Sequence, residues 1–110
     1  MADYRNRSAI NALPEHMRAA MLRWIEQGVY PGGFLTAVLE NNLCEAVARA
    51  DHINIHKLPE YVRYLYNNAP RGCWGNPDSV RAWHREGGLM RGLVGVSPEP
   101  ENQTEENDRV

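Results

Sequence analysis

The sequence predicts an all-α fold, a compact bundle of about five short helices, with a flexible N-terminus over 1–12 and a flexible acidic tail over 93–110. Three observations lead there. Apolar residues recur at three- and four-residue spacing in several short segments, the period of one helix face. The run Asn76-Pro77-Asp78-Ser79 is a strong helix start, with a capping Asn, Pro in the first turn and an early acid. Only Ile53 and Ile55 alternate as a strand would, and nothing else asks for a sheet.

The elements follow in order. Over 14–27, Met17, Met21, Trp24 and Ile25 form one stripe; Pro14 suits the opening turn and Gly28 the stop. Tyr30-Pro31-Gly32-Gly33 is a turn into a second helix, 33–40, with Phe34, Leu35, Val38 and Leu39 apolar. Asn41 or Asn42 caps a third, from 43 to about 50, whose expected inner face is Leu43, Ala46, Val47 and Ala50. Residues 51–57 fit either a short strand or a helical continuation. A fourth helix near Pro59 places Leu58, Tyr61, Val62 and Leu65 on one face and stops before Pro70. After a loop over 69–76, the fifth helix, 77–86, turns Val80 and Trp83 inward and ends at Gly87-Gly88. Residues 89–96 read as a docking segment rather than a helix. The foldable body, 13–92, is small enough that self-association is a reasonable expectation.

Composition excludes several classes. Of 110 residues, 43% are hydrophobic and 24% charged, which rules out a collagen-like or wholly disordered chain. No stretch approaches the roughly 18 apolar residues of a membrane span. The net charge is -2, and 99–110 hold five acids against Arg109, so the body is slightly basic. That is well short of a dedicated nucleic-acid binder. The tail density fits a solubilising role. Arg supplies all the cations except Lys57, which suits planar recognition of phosphate or carboxylate and equally follows from a GC-rich genome. Cys44 and Cys73 have no spacing that indicates a bridge, so a reduced, cytoplasmic pair is the default.

Four features are candidates for chemistry, each with a plain structural alternative. Gly32 and Gly33 at a helix start, with Thr36 one turn in, are either an anion site or a tight interhelical turn. In the loop Pro70-Arg71-Gly72-Cys73-Trp74-Gly75-Asn76, Arg71 with Arg81 and His84 would surround a phosphate or carboxylate while Trp74 stacks on a base or anchors a partner; alternatively Trp74 plugs the bundle end. Arg63 among Tyr61, Tyr64 and Tyr66 offers aromatic-cationic stacking, or tyrosines half-buried in the ordinary way. His52 and His56 have helical i,i+4 spacing but lack the glutamate of HExxH, so no metal and no cofactor are expected. No nucleophile motif is present, and Glu40, Glu45 and Glu60 form no recognisable acid–base pair, so no catalysis is expected.

The runs PGGFLTAVLENNL, EAVARAD and LYNNAPRGCWGNPDSVRAW resemble a family of small proteins encoded by bacteriophages and prophages. The resemblance implies a bacterial cytoplasmic setting and an accessory role such as inhibition of host defence. It transfers no site residue. The leading expectation is a non-catalytic binding protein that captures a phosphate-bearing small ligand, such as a nucleotide signal, or blocks a host protein. The alternatives are a DNA-binding regulator using a helix-turn-helix-like pair, and an oligomeric structural or assembly protein. Nucleic acid ranks below the small ligand, a membrane partner is not expected, and a homo-oligomer is.

Overall fold

Six α-helices and a single 3-10 turn carry the chain in the computed structural model, which describes residues 3–90. The helices are α1 (Arg7–Asn11), α2 (Glu15–Gln27), α3 (Gly33–Leu39), α4 (Leu43–Arg49), α5 (Leu58–Asn67) and α6 (Pro77–Glu86). No strand occurs among the described residues. The all-helical expectation holds, with one helix more than anticipated. The acidic tail lies outside the described residues.

That additional helix corrects the flexible N-terminus. Asn6 caps α1, its side-chain oxygen accepting from the Ala9 N–H at 3.0 Å. The segment before it is tied down by the backbone and by charge. The Tyr64 hydroxyl donates to the Tyr4 carbonyl at 2.6 Å, and the Asn68 amide to the Asp3 carbonyl at 3.0 Å. Glu26 accepts from the Tyr4 hydroxyl at 3.0 Å and pairs with Arg5. Tyr4, Ala9 and Ile10 pack against the core. Low periodicity concealed this because the segment is held largely through main-chain carbonyls, which leave no side-chain pattern.

Caps explain most of the other boundaries. Asn42 accepts from the Glu45 N–H at 3.2 Å to start α4, and Asn76 from the Ser79 N–H at 2.9 Å to start α6. Gly28 closes α2 in the left-handed region (φ 71°), where a side chain is strained. The ambiguous 51–57 stretch is neither strand nor continued helix. Asp51 accepts from the N–H groups of Ile53 (3.0 Å) and Asn54 (2.7 Å) and nucleates the 3-10 turn Asn54–His56. His52 therefore precedes the turn that holds His56, and the two share no helix.

The core forms around the end of α2. Met21, Trp24 and Ile25 are fully buried with Leu35 and Leu39 of α3, Tyr61 and Leu65 of α5, and Val80 of α6. The Trp24 carbonyl near the end of α2 accepts from the Gly28 N–H at 2.9 Å, while those of Ile25 and Glu26 look to residues outside the helix. The Trp83 indole N–H is shared between the Trp24 and Ile25 carbonyls (3.0 and 3.2 Å), and the Leu89 and Met90 N–H groups reach Ile25 and Glu26 (3.0 and 2.9 Å). The docking segment is thus confirmed for 89–90; 91–96 lie outside the described residues. The Trp24 indole donates to the Cys73 carbonyl at 2.9 Å, seating the 69–76 loop. Cys73 is buried and unbridged, and burial pushes its thiol up to about 12; Cys44 is exposed.

Two inner-face expectations are corrected. In α4 only Ala46 is buried, while Leu43 and Val47 face solvent. In α5 the core side belongs to Tyr61, Tyr64 and Leu65, and Val62 is exposed. Both helices lie at the margin of the bundle, so only part of each apolar arc meets the core.

Candidate functional site

The α3–α4 hairpin builds the most developed cleft among the sequence-predicted residues. Both helices are seven residues long, and residues 40–42 join them. At 1.5 Å per residue each spans about 10 Å, so the end of α4 returns beside the start of α3. Arg49 therefore lies over Gly33; a Cβ there would come within 2.9 Å of its guanidinium nitrogen. Gly32, the residue before α3, holds φ 104° and has nothing within 4 Å of where its Cβ would sit. The glycines keep this entrance open.

The result is an open cleft of about 420 Å³ between the two helices. Gly32, Gly33 and Thr36 line one side, as expected from the sequence, and Asn42, Glu45 and Arg49 line the other. Tyr30 and Glu40 complete its walls. Its charges are one guanidinium and two carboxylates. Arg49 donates from Nε to Glu45 at 2.9 Å, an exposed i,i+4 pair of small strength. Glu40 is half-buried and has no ion pair or side-chain hydrogen bond within the described residues. The mixture presents an anion acceptor next to a group that takes hydrogen bonds from hydroxyls and amines.

Tyr30 is held rigidly. Its ring stacks on Trp24 at 5.6 Å and on His84 at 4.2 Å. His84 Nδ1 lies 2.7 Å from the Gly28 carbonyl, which can only accept, so Nδ1 carries a proton and Nε2 is left outward. His84 thus supports the cleft wall from behind.

The other predicted site residues lie apart from the cleft. Arg63 pairs with Glu60 at 3.2 Å on α5, beside a smaller cleft of about 160 Å³ against α1. Arg71 is exposed in its loop, and Trp74 is half-buried against the core. Arg81 pairs with Asp78 on α6. The expected Arg71–Trp74–Arg81 cluster has no cavity of its own among those described. The helix-turn-helix reading meets a connection of nine residues, 68–76, between α5 and α6, against a usual three or four.

Tyr30, Ala37, Glu40, Asn42, Glu45 and Arg49 are the cleft residues that the sequence did not mark for this site. The matched lengths of α3 and α4 were the available signal. No group of three metal-ligating side chains is found among the described residues. No described helix is long and apolar enough to cross a membrane. No protein-family model matches the chain, and neither curated proteins nor solved structures give a significant match.

Proposed function

We propose that this protein is a non-catalytic binding protein that takes up a small phosphate-bearing ligand in the α3–α4 cleft. The observation that carries this reading is the meeting of Gly32, Gly33 and Thr36 with Arg49 around one open space of a size ordinary for a small-molecule site. The chemistry narrows the class. Two carboxylates beside one arginine oppose a bare phosphate, so the ligand has to bring donors for Glu40 as well as an anion for Arg49. A nucleotide has both, with ribose hydroxyls or a base amine as donors. An accessory role in a bacterial cell, as the phage-protein resemblance implies, is part of the same proposal.

Native mass spectrometry of the chain purified from bacteria tests it. The expected result is a mass excess of nucleotide size that disappears on denaturation and is lost in Arg49→Ala. A bare mass, or an excess that Arg49→Ala retains, contradicts the assignment to this cleft.

A further inference from the structure

The α3–α4 cleft is chemically divided along its length. At one end the Arg49 guanidinium lies over Gly33, with its Nε engaged by Glu45 at 2.9 Å. At the other end stand Glu40, which closes α3, and Asn42, which opens α4. The seven residues of α3, at 1.5 Å each, set the two ends about 10 Å apart. A nucleotide has that reach, from its phosphate to the far edge of its base.

The hydrogen-bonding character of the far end is fixed. A carboxylate only accepts, and Glu40 has no ion pair or side-chain hydrogen bond among the described residues. Asn42 Oδ1 accepts from the Glu45 N–H at 3.2 Å. That N–H can only donate, so the amide oxygen is committed to the cap and Nδ2 keeps both of its donors for the cleft. Two acceptor oxygens therefore stand two residues from an amide donor.

One nucleobase edge complements this set in full. Guanine presents two adjacent donors, N1–H and the 2-amino group, with the O6 acceptor beside them. Both Glu40 oxygens are then used, and O6 faces the Asn42 amide. Adenine presents its 6-amino group beside the N1 acceptor, which leaves one Glu40 oxygen opposite a lone pair. Cytosine and uracil likewise offer a single donating group on that edge.

We propose that the ligand of this cleft is a guanine nucleotide. Glu40 accepts from N1–H and the 2-amino group, Asn42 donates to O6, and Arg49 takes the phosphate. This rests on the cleft being the site of a phosphate-bearing ligand, and adds the identity of the base.

Isothermal titration of the full chain with guanosine, inosine and adenosine monophosphates is the test. The guanine nucleotide is expected to bind about tenfold more tightly than the adenine one, the low end for a bidentate pair because the cleft is open. Inosine monophosphate, which lacks only the 2-amino group of guanine, is expected between them. Glu40→Gln keeps the size of the side chain and removes one acceptor. It is expected to abolish the preference with helical content by circular dichroism unchanged, whereas Arg49→Ala weakens all three ligands alike. Equal affinities that Arg49→Ala weakens overturn the guanine assignment and leave phosphate uptake in the cleft standing. A guanine preference that Glu40→Gln retains also overturns it, as does tighter binding of the adenine or inosine nucleotide. Binding of none of the three overturns the cleft as a nucleotide site, and the guanine assignment with it.

Discussion

At the scale of single residues, the positions that matter most are those where backbone meets backbone. Gly88 holds φ 73°, and a Cβ on it would lie 2.6 Å from the Glu26 carbonyl carbon and 2.7 Å from the Gln27 nitrogen. Neither atom belongs to a flexible side chain, so α2 and the segment after α6 have to separate. Gly88→Ala is expected to cost several kcal/mol, about the upper end of point-substitution effects, measured by urea unfolding. An unchanged midpoint would mean that the 87–90 segment does not dock as described. The sequence marked Gly87-Gly88 as a helix stop, but the approach to Glu26 joins residues distant in the chain and had no local trace.

Asp51 gives a pH-dependent case. Hydrogen bonds from the Asn54 N–H, the His16 side chain and the Ile53 N–H hold its carboxyl below the usual carboxylate value. A depressed folded-state pKa stabilises above the unfolded value, and that stability disappears as pH falls through the folded one. Asp51 is exposed, so the effect is small. The difference in unfolding free energy between the native chain and Asp51→Asn is expected to shrink as pH falls below the ordinary titration range of an aspartate carboxyl. A difference independent of pH would exclude the carboxylate as its source.

At the scale of elements, capping chemistry decides where helices start. Asn76 was legible because Asn, Pro and Asp stand in the order that a helix start requires. Its side chain accepts from the Ser79 N–H at 2.9 Å, and Asn76→Ala is expected to lower stability by about 1 kcal/mol in thermal unfolding. Retention of full stability would mean that Pro77 and tertiary contacts alone define α6. Other elements were less legible. Periodicity gives a helix its apolar arc but not the share of that arc that meets the core, which is why Leu43, Val47 and Val62 were assigned inward. The strap of residues 3–6 was invisible because Tyr64 and Asn68 hold its carbonyls, and any sequence supplies those.

For the whole molecule, the order of the helices from α2 to α6 was readable because start or stop residues mark most of them, whereas α1 was not foreseen and the cleft depended on how α3 and α4 return on each other. Gly32, Gly33 and Thr36 stand out locally; Arg49 joins them only because two helices of equal length are folded back by a three-residue link. The loop residues Arg71 and Trp74 drew attention through unusual composition, yet one faces solvent and the other packs on the core.

The proposed function requires that the α3–α4 cleft, and not the 69–76 loop, receives the ligand. Titration of the ¹⁵N-labelled full chain with adenosine monophosphate, and separately with inorganic phosphate, tests this most directly by residue-resolved amide shifts. Saturable shifts at Gly32, Gly33, Thr36 and Arg49 are expected with the nucleotide and a weaker response with phosphate alone, since the Glu40 and Glu45 carboxylates repel a bare anion that brings neither ribose nor base. Shifts centred on Arg71, Trp74 and Arg81, or a silent cleft under saturating nucleotide, would contradict it.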